Sequence, residues 1–175
     1  MEITLIRHTS VDVEPGICYG QSDVGVSVEF EKEANAVRSK LREQTFDCIY
    51  SSPLSRCLKL ADYCGYSNPV IDKRLMEIDF GAWEMKRWSD IKDPQLQRWF
   101  DDWLAEKPTR GESFNDMIRR VDKFISEIER HSYQKVAIFT HAGVIRAACI
   151  INKQFSAAEA FNYKVNYGDC IKIII

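Results

Sequence analysis

Two short apolar runs constrain this chain more than any other feature. Ile3-Thr4-Leu5-Ile6 ends in Arg7-His8, and Val136-Ala137-Ile138-Phe139-Thr140 ends in His141-Ala142-Gly143. Near-continuous apolar runs of this length read as strands buried on both faces, and a third, Asp47-Cys48-Ile49-Tyr50-Ser51, has the same character. Each is followed by a helical signal, which predicts an α/β layer fold with a largely parallel sheet. In such sheets ligands gather beyond the carboxyl ends of the strands. Arg7, His8, Arg56 and His141 are therefore expected along one edge.

The remaining elements follow from local signals. Ser52-Pro53 is expected to open the helix after the third run, with serine as its cap and proline in the first turn. Ser113 and Asp116 form a capping-box pattern ahead of Phe114, Met117, Ile118, Val121, Phe124, Ile125 and Ile128, which share one helical face. The tail Asp169–Ile175 reads as a last strand at a sheet edge. From about 85 to 110 the chain changes character, with Trp88, Trp99, Phe100 and Trp103 among charged residues and prolines. This reads as a helical excursion from a single domain spanning 1–175, its rings mostly in the core and one tryptophan reaching the site. Charged residues of 29–44 read as a solvated helix face without function.

Bulk properties narrow the partners. At 175 residues, with 45% hydrophobic and 29% charged residues, the chain suits one well-packed domain. A net charge of −2 offers no general attraction to nucleic acid or acidic lipid, so an anionic ligand must be held by local cations. The six cysteines form no CxxC and have apolar neighbours, which predicts reduced thiols and a cytoplasmic setting. No apolar stretch approaches the roughly 20 residues of a membrane span.

Two guanidinium groups and two imidazoles at one edge match what a phosphoryl group requires: forked donors for its oxygens and a nucleophile in line with the leaving oxygen. A neutral imidazole can be that nucleophile, provided its other N–H is held by an acceptor. The leaving oxygen needs a proton, and Glu77, flanked by apolar residues in Leu75-Met76-Glu77-Ile78-Asp79-Phe80-Gly81, can carry one in a partly desolvated pocket. Asp79 and Glu84 compete for that role.

Four segments then carry a resemblance. Leu5-Ile6-Arg7-His8-Thr9, Ser51-Ser52-Pro53-Leu54-Ser55-Arg56-Cys57, Leu75–Glu84 and Thr140-His141-Ala142-Gly143-Val144-Ile145-Arg146 resemble, in order, the motifs of the histidine phosphatase superfamily, the phosphoglycerate-mutase-like fold. The resemblance implies a three-layer α/β/α sandwich around a mixed, mostly parallel sheet. It implies a phosphomonoesterase in which His8 is the phosphorylated nucleophile, Glu77 the proton donor, and Arg7, Arg56 and His141 the phosphoryl ligands. No metal or other cofactor is implied, and the partner is a small-molecule phosphomonoester.

The first loop departs from the general pattern. Thr9 replaces the usual glycine, and Glu14 stands where many members carry a phosphate-contacting asparagine. Its form, continuing through Gly16-Ile17-Cys18-Tyr19-Gly20-Gln21-Ser22-Asp23-Val24, is similar to the α-ribazole phosphatase subgroup of cobalamin nucleotide-loop assembly. Thr9, Tyr19, Gln21 and Ser22 are the candidate substrate contacts, and a tryptophan can stack a flat base. A phosphoglycerate mutase, a broad-specificity sugar or nucleotide phosphatase, and a catalytically silent phospholigand-binding module are the alternatives.

Overall fold

Successive side chains of a strand point to opposite faces, so a strand buried on both sides feeds two separate cores. In the computed structural model, which describes residues 1–175, this division is explicit. Ile3, Leu5, Val136 and Ile138 join the larger core with Met117, Val121, Phe124 and Val144, whereas Ile6, Ala137 and Phe139 join a second core with Ala34, Val37, Cys57 and Leu60. Helices α4 (Phe114–Ile128) and α5 (Ala142–Ile151) cover the first face; α1 (Phe30–Leu41) and α2 (Ser55–Tyr63) cover the second. The result is the three-layer sandwich.

The sheet contains β1 (Glu2–Arg7), β2 (Cys48–Ser51), β3 (Val70–Ile71), β4 (Lys135–Thr140) and β5 (Cys170–Ile174) in the order β3-β2-β4-β1-β5. All neighbours are parallel except β5, which runs antiparallel to β1 at the edge. Strand β3 has no counterpart in the sequence reading, because two exposed residues show no periodicity.

Two local expectations meet the structure differently. The Ser113–Asp116 box is present with both bonds made, and α4 starts at the following residue. Ser52, by contrast, does not cap α2, which begins at Ser55. The α2 entrance is held by Asp23, whose carboxylate accepts from the Ser55 amide (2.9 Å) and hydroxyl (2.8 Å). The 85–110 segment is only partly helical: a 3-10 turn at Trp88–Asp90 and a short α3 (Gln95–Asp101), clustered around Trp83 and Trp99. All six cysteines are free, with Cys18, Cys57 and Cys149 buried and the other three half-buried. No helix is long and apolar enough to cross a membrane.

Candidate active site

Neighbouring parallel strands β1 and β4 send the chain to opposite faces of the sheet, through α1 and α5. This is the topological switch point where a crevice forms at the carboxyl edge. Arg7 ends β1 opposite Thr140 of β4, and the His8 amide donates to the Thr140 carbonyl (3.0 Å). His8 and His141 consequently face each other edge-on, with ring centroids 5.1 Å apart.

The acceptor that orients His8 is its neighbour. Nδ1 lies 2.7 Å from the Thr9 carbonyl, which can only accept, so Nδ1 carries the proton and the Nε2 lone pair is left free. Burial, then the positive charge of Arg56, hold the His8 pKa down at about 3 against the upward effect of the Thr9 bond, with a smaller lowering from Arg7. His141 is driven well below its ordinary value by burial and by the neighbouring His8 and arginines. Its Nε2 lies 2.8 Å from the Ser52 hydroxyl, which can donate to it while accepting from the Leu54 amide (3.3 Å). The Ser-Ser-Pro segment thus positions an imidazole rather than a helix end.

Arg56 is fully buried and donates to the Gly20 (2.6 Å) and Ser22 (2.9 Å) carbonyls, and Arg7 donates to the Val165 carbonyl (2.6 Å). Neither arginine pairs with a carboxylate. Seven buried side-chain polar atoms lack a hydrogen-bond partner, and four of them are here: Arg7 Nε, Arg56 Nε, His141 Nδ1 and the Thr9 hydroxyl. Buried donors are normally satisfied, at a cost of about 1–3 kcal/mol each when they are not. Orphan donors around unpaired cations form a cradle prepared for an anion.

Glu77 sits on the rim of this cradle. Its carboxylate accepts from the amides of Ile78 (3.0 Å) and Gly143 (3.1 Å), the latter in the first turn of α5. A Cβ at Gly143 would lie 2.1 Å from Glu77 Oε1, so a side chain there would push the carboxylate off its amide. The Glu77 backbone carbonyl is held by Gln21 and Arg120, each at 3.1 Å. Its competitors are committed elsewhere. Asp79 accepts from the Gly81 amide (2.8 Å), and Glu84 gathers the amides of Gly20, Gln21, Ser22 and Phe80 and the Ser22 hydroxyl (2.6 Å). Burial works against the Glu84 carboxylate, but those bonds prevail and lower its pKa.

Beside Glu77 opens a cavity of about 220 Å³, whose walls include Tyr19, Phe80, Trp88, Trp99, Trp103 and Phe161. Three tryptophans reach the site where one was expected. Trp88 and Trp99 stack with centroids 5.7 Å apart.

Of the first-loop candidates, Tyr19 lines the cavity with its ring centroid 5.7 Å from the Arg56 guanidinium, whereas Thr9 meets the site through its carbonyl on His8. Gln21 and Ser22 are engaged by the protein itself and hold the loop over Arg56. Glu14 is exposed and paired with Arg87. Residues the sequence reading passed over also contribute. Glu33, in the supposedly idle α1 face, accepts from the Ser10 amide (2.7 Å) and hydroxyl (2.9 Å) and so holds the loop just after His8. Tyr167 lies over the Arg7 guanidinium (3.9 Å to the ring centroid), 5.6 Å from the His8 ring, and its hydroxyl meets that of Tyr19 at 3.0 Å. This tyrosine pair closes over the cradle and leaves His8 only 2% exposed. Nothing at position 167 signals this, since the contact joins residues 148 apart.

Residues 3–174 match the family model of the histidine phosphatase superfamily, branch 1, and the chain belongs to that family. The adenosylcobalamin/alpha-ribazole phosphatase of Salmonella typhimurium is 28% identical over 96% of this chain and 87% of the relative. Phosphoserine phosphatase 1 of Hydrogenobacter thermophilus is 29% identical over 84% of this chain and 74% of its own length. The crystal structure of the alpha-ribazole phosphatase from Shigella flexneri superposes with a TM-score of 0.87 at 25% identity, covering all of this chain and 91% of that one.

Proposed function

We propose that residues 1–175 act as one phosphomonoesterase unit working through a phosphohistidine, with α-ribazole 5′-phosphate as substrate. The observation that carries the reading is the set of orphan donors on Arg7, Arg56, His141 and Thr9 around a neutral, tautomer-fixed His8. Likeness to the alpha-ribazole phosphatases of Salmonella and Shigella supports the substrate, as does an aromatic cavity suited to a flat base.

The Tyr19–Tyr167 hydrogen bond parts to admit the phosphoryl group. His8 Nε2 donates its lone pair to phosphorus as the ester P–O bond breaks. Arg7, Arg56 and the His141 Nδ1–H, the last made available by Ser52 bonding at Nε2, follow the charge onto the phosphoryl oxygens. Glu77 gives its proton to the departing alkoxide. Water then attacks phosphorus, Glu77 takes the proton, the N–P bond breaks, and its electron pair returns to Nε2 as inorganic phosphate leaves. The substrate is a small molecule, and neither nucleic acid nor a membrane has a part in this reading.

His8→Ala is expected to abolish hydrolysis of α-ribazole 5′-phosphate and the acid-labile phosphoenzyme trapped by rapid quench. Near-wild-type turnover in that variant would end the nucleophile assignment. Comparable kcat/KM for α-ribazole 5′-phosphate, sugar phosphates and nucleotides would end the substrate assignment while leaving the chemistry.

A further inference from the structure

The cavity beside Glu77 has aromatic walls with one cation among them. Arg146 stands one turn beyond Gly143 on α5, on the face that carries the Glu77 amide bond. Its Nε donates to the Tyr163 carbonyl (3.1 Å), which fixes the plane of the guanidinium; its two terminal nitrogens have no partner in the protein, and the residue lines the cavity. Glu77 does not pair with it, because the Glu77 oxygens are held by the Ile78 and Gly143 amides. Burial lowers the Arg146 pKa, a sign that the charge is partly stripped of water. Trp99 in the same wall is also nearly buried with its indole N–H unsatisfied. A partly desolvated cation whose two terminal nitrogens bond nothing in the protein is placed to bond an acceptor that arrives in the cavity and displaces water from it.

Position defines what arrives. Glu77 meets the ester oxygen, so a group further along the same cavity meets the leaving group beyond that oxygen. We propose that Arg146 is a specificity-determining residue whose guanidinium fork binds an oxygen acceptor on the leaving group, a sugar oxygen or a carboxylate, while the aromatic walls take the flat remainder. This rests on the phosphatase reading of the site. If Arg146 served only to anchor the chain at Tyr163, its replacement would act alike on every substrate.

Three monoesters separate the two roles: α-ribazole 5′-phosphate, which has sugar oxygens; O-phosphoserine, which has a carboxylate; and phenyl phosphate, which has neither. In Arg146→Gln, kcat/KM relative to that of phenyl phosphate is expected to fall roughly 10- to 100-fold for the ester whose oxygen is bound, as loss of a charged hydrogen bond entails. The arm that falls identifies sugar or carboxylate. Arg146→Lys, which keeps the charge and the packing of the stem but loses the fork, is expected to show a smaller fall in the same ratio, and it serves alone if the glutamine variant does not fold. Equal losses across all three esters, or unchanged ratios, overturn the proposal. Failure of the unaltered protein to hydrolyse any of the three overturns the phosphatase reading instead.

Discussion

At the scale of single residues, the site depends on which atom of each side chain is already occupied. Thr9 matters through its carbonyl, which selects the His8 tautomer, and Ser52 through a hydroxyl bonded to His141. Glu77 matters through two amides that aim it, one of them from a residue without a side chain at 143. If Glu77 protonates the leaving group, its importance scales with how badly that group needs a proton. Glu77→Gln is expected to reduce kcat/KM for an alkyl phosphate by roughly 100-fold or more, and for p-nitrophenyl phosphate, whose phenolate leaves unaided, by less than about 10-fold. Gly143→Ala, by displacing the carboxylate, is expected to show the same dependence in milder form. Equal losses on both esters would remove Glu77 from the acid role.

At the scale of elements, α4 is the clearest case of local sequence deciding local structure. Ser113 and Asp116 satisfy each other's end of the helix, while Met117, Val121, Phe124 and Ile128 bury one face. Ser113→Ala is expected to cost about 1 kcal/mol, lowering Tm by roughly 2–4 °C in a chain of this size, as thermal unfolding followed by circular dichroism would register. No change in Tm would mean that packing alone holds the helix start. The 85–110 excursion is the opposite case. Its helical pieces are a 3-10 turn and the seven residues of α3, clustered around Trp83 and Trp99, and the exposure of its tryptophans to the Glu77 cavity is visible only in three dimensions. Helix α2 lies between these cases: Ser52-Pro53 marks its approach, but it begins at Ser55 and its holder, Asp23, belongs to a distant loop.

At the scale of the molecule, the cradle ties stability to pH. His8 titrates near 6.5 when unfolded and at about 3 when folded, and His141 is also shifted downward, so between these values the unfolded chain binds more protons. Stability therefore rises with pH through this window and is lost as pH falls below about 6.5, by up to ~1.4 kcal/mol per pH unit for each histidine. Urea denaturation between pH 6.5 and 4.5 is expected to show that slope, and His8→Asn to reduce it by about one histidine's share. An unchanged slope in the variant would show that His8 is not held neutral by the fold. The sequence by itself determined the layered sheet and the α4 cap and pointed to Arg7, His8, Arg56, Glu77 and His141 as the residues to look for at one edge, because periodicity, capping and motif order are written within a few residues. Only the tertiary structure decided the His8 tautomer, the closure by Tyr19 and Tyr167, the part of Glu33 and the aromatic cavity with Arg146. The first is set by the turn that brings the adjacent Thr9 carbonyl to His8; the others are contacts between segments apart in the chain, and no local pattern encodes a distance that exists only after the sheet has brought its strand ends together.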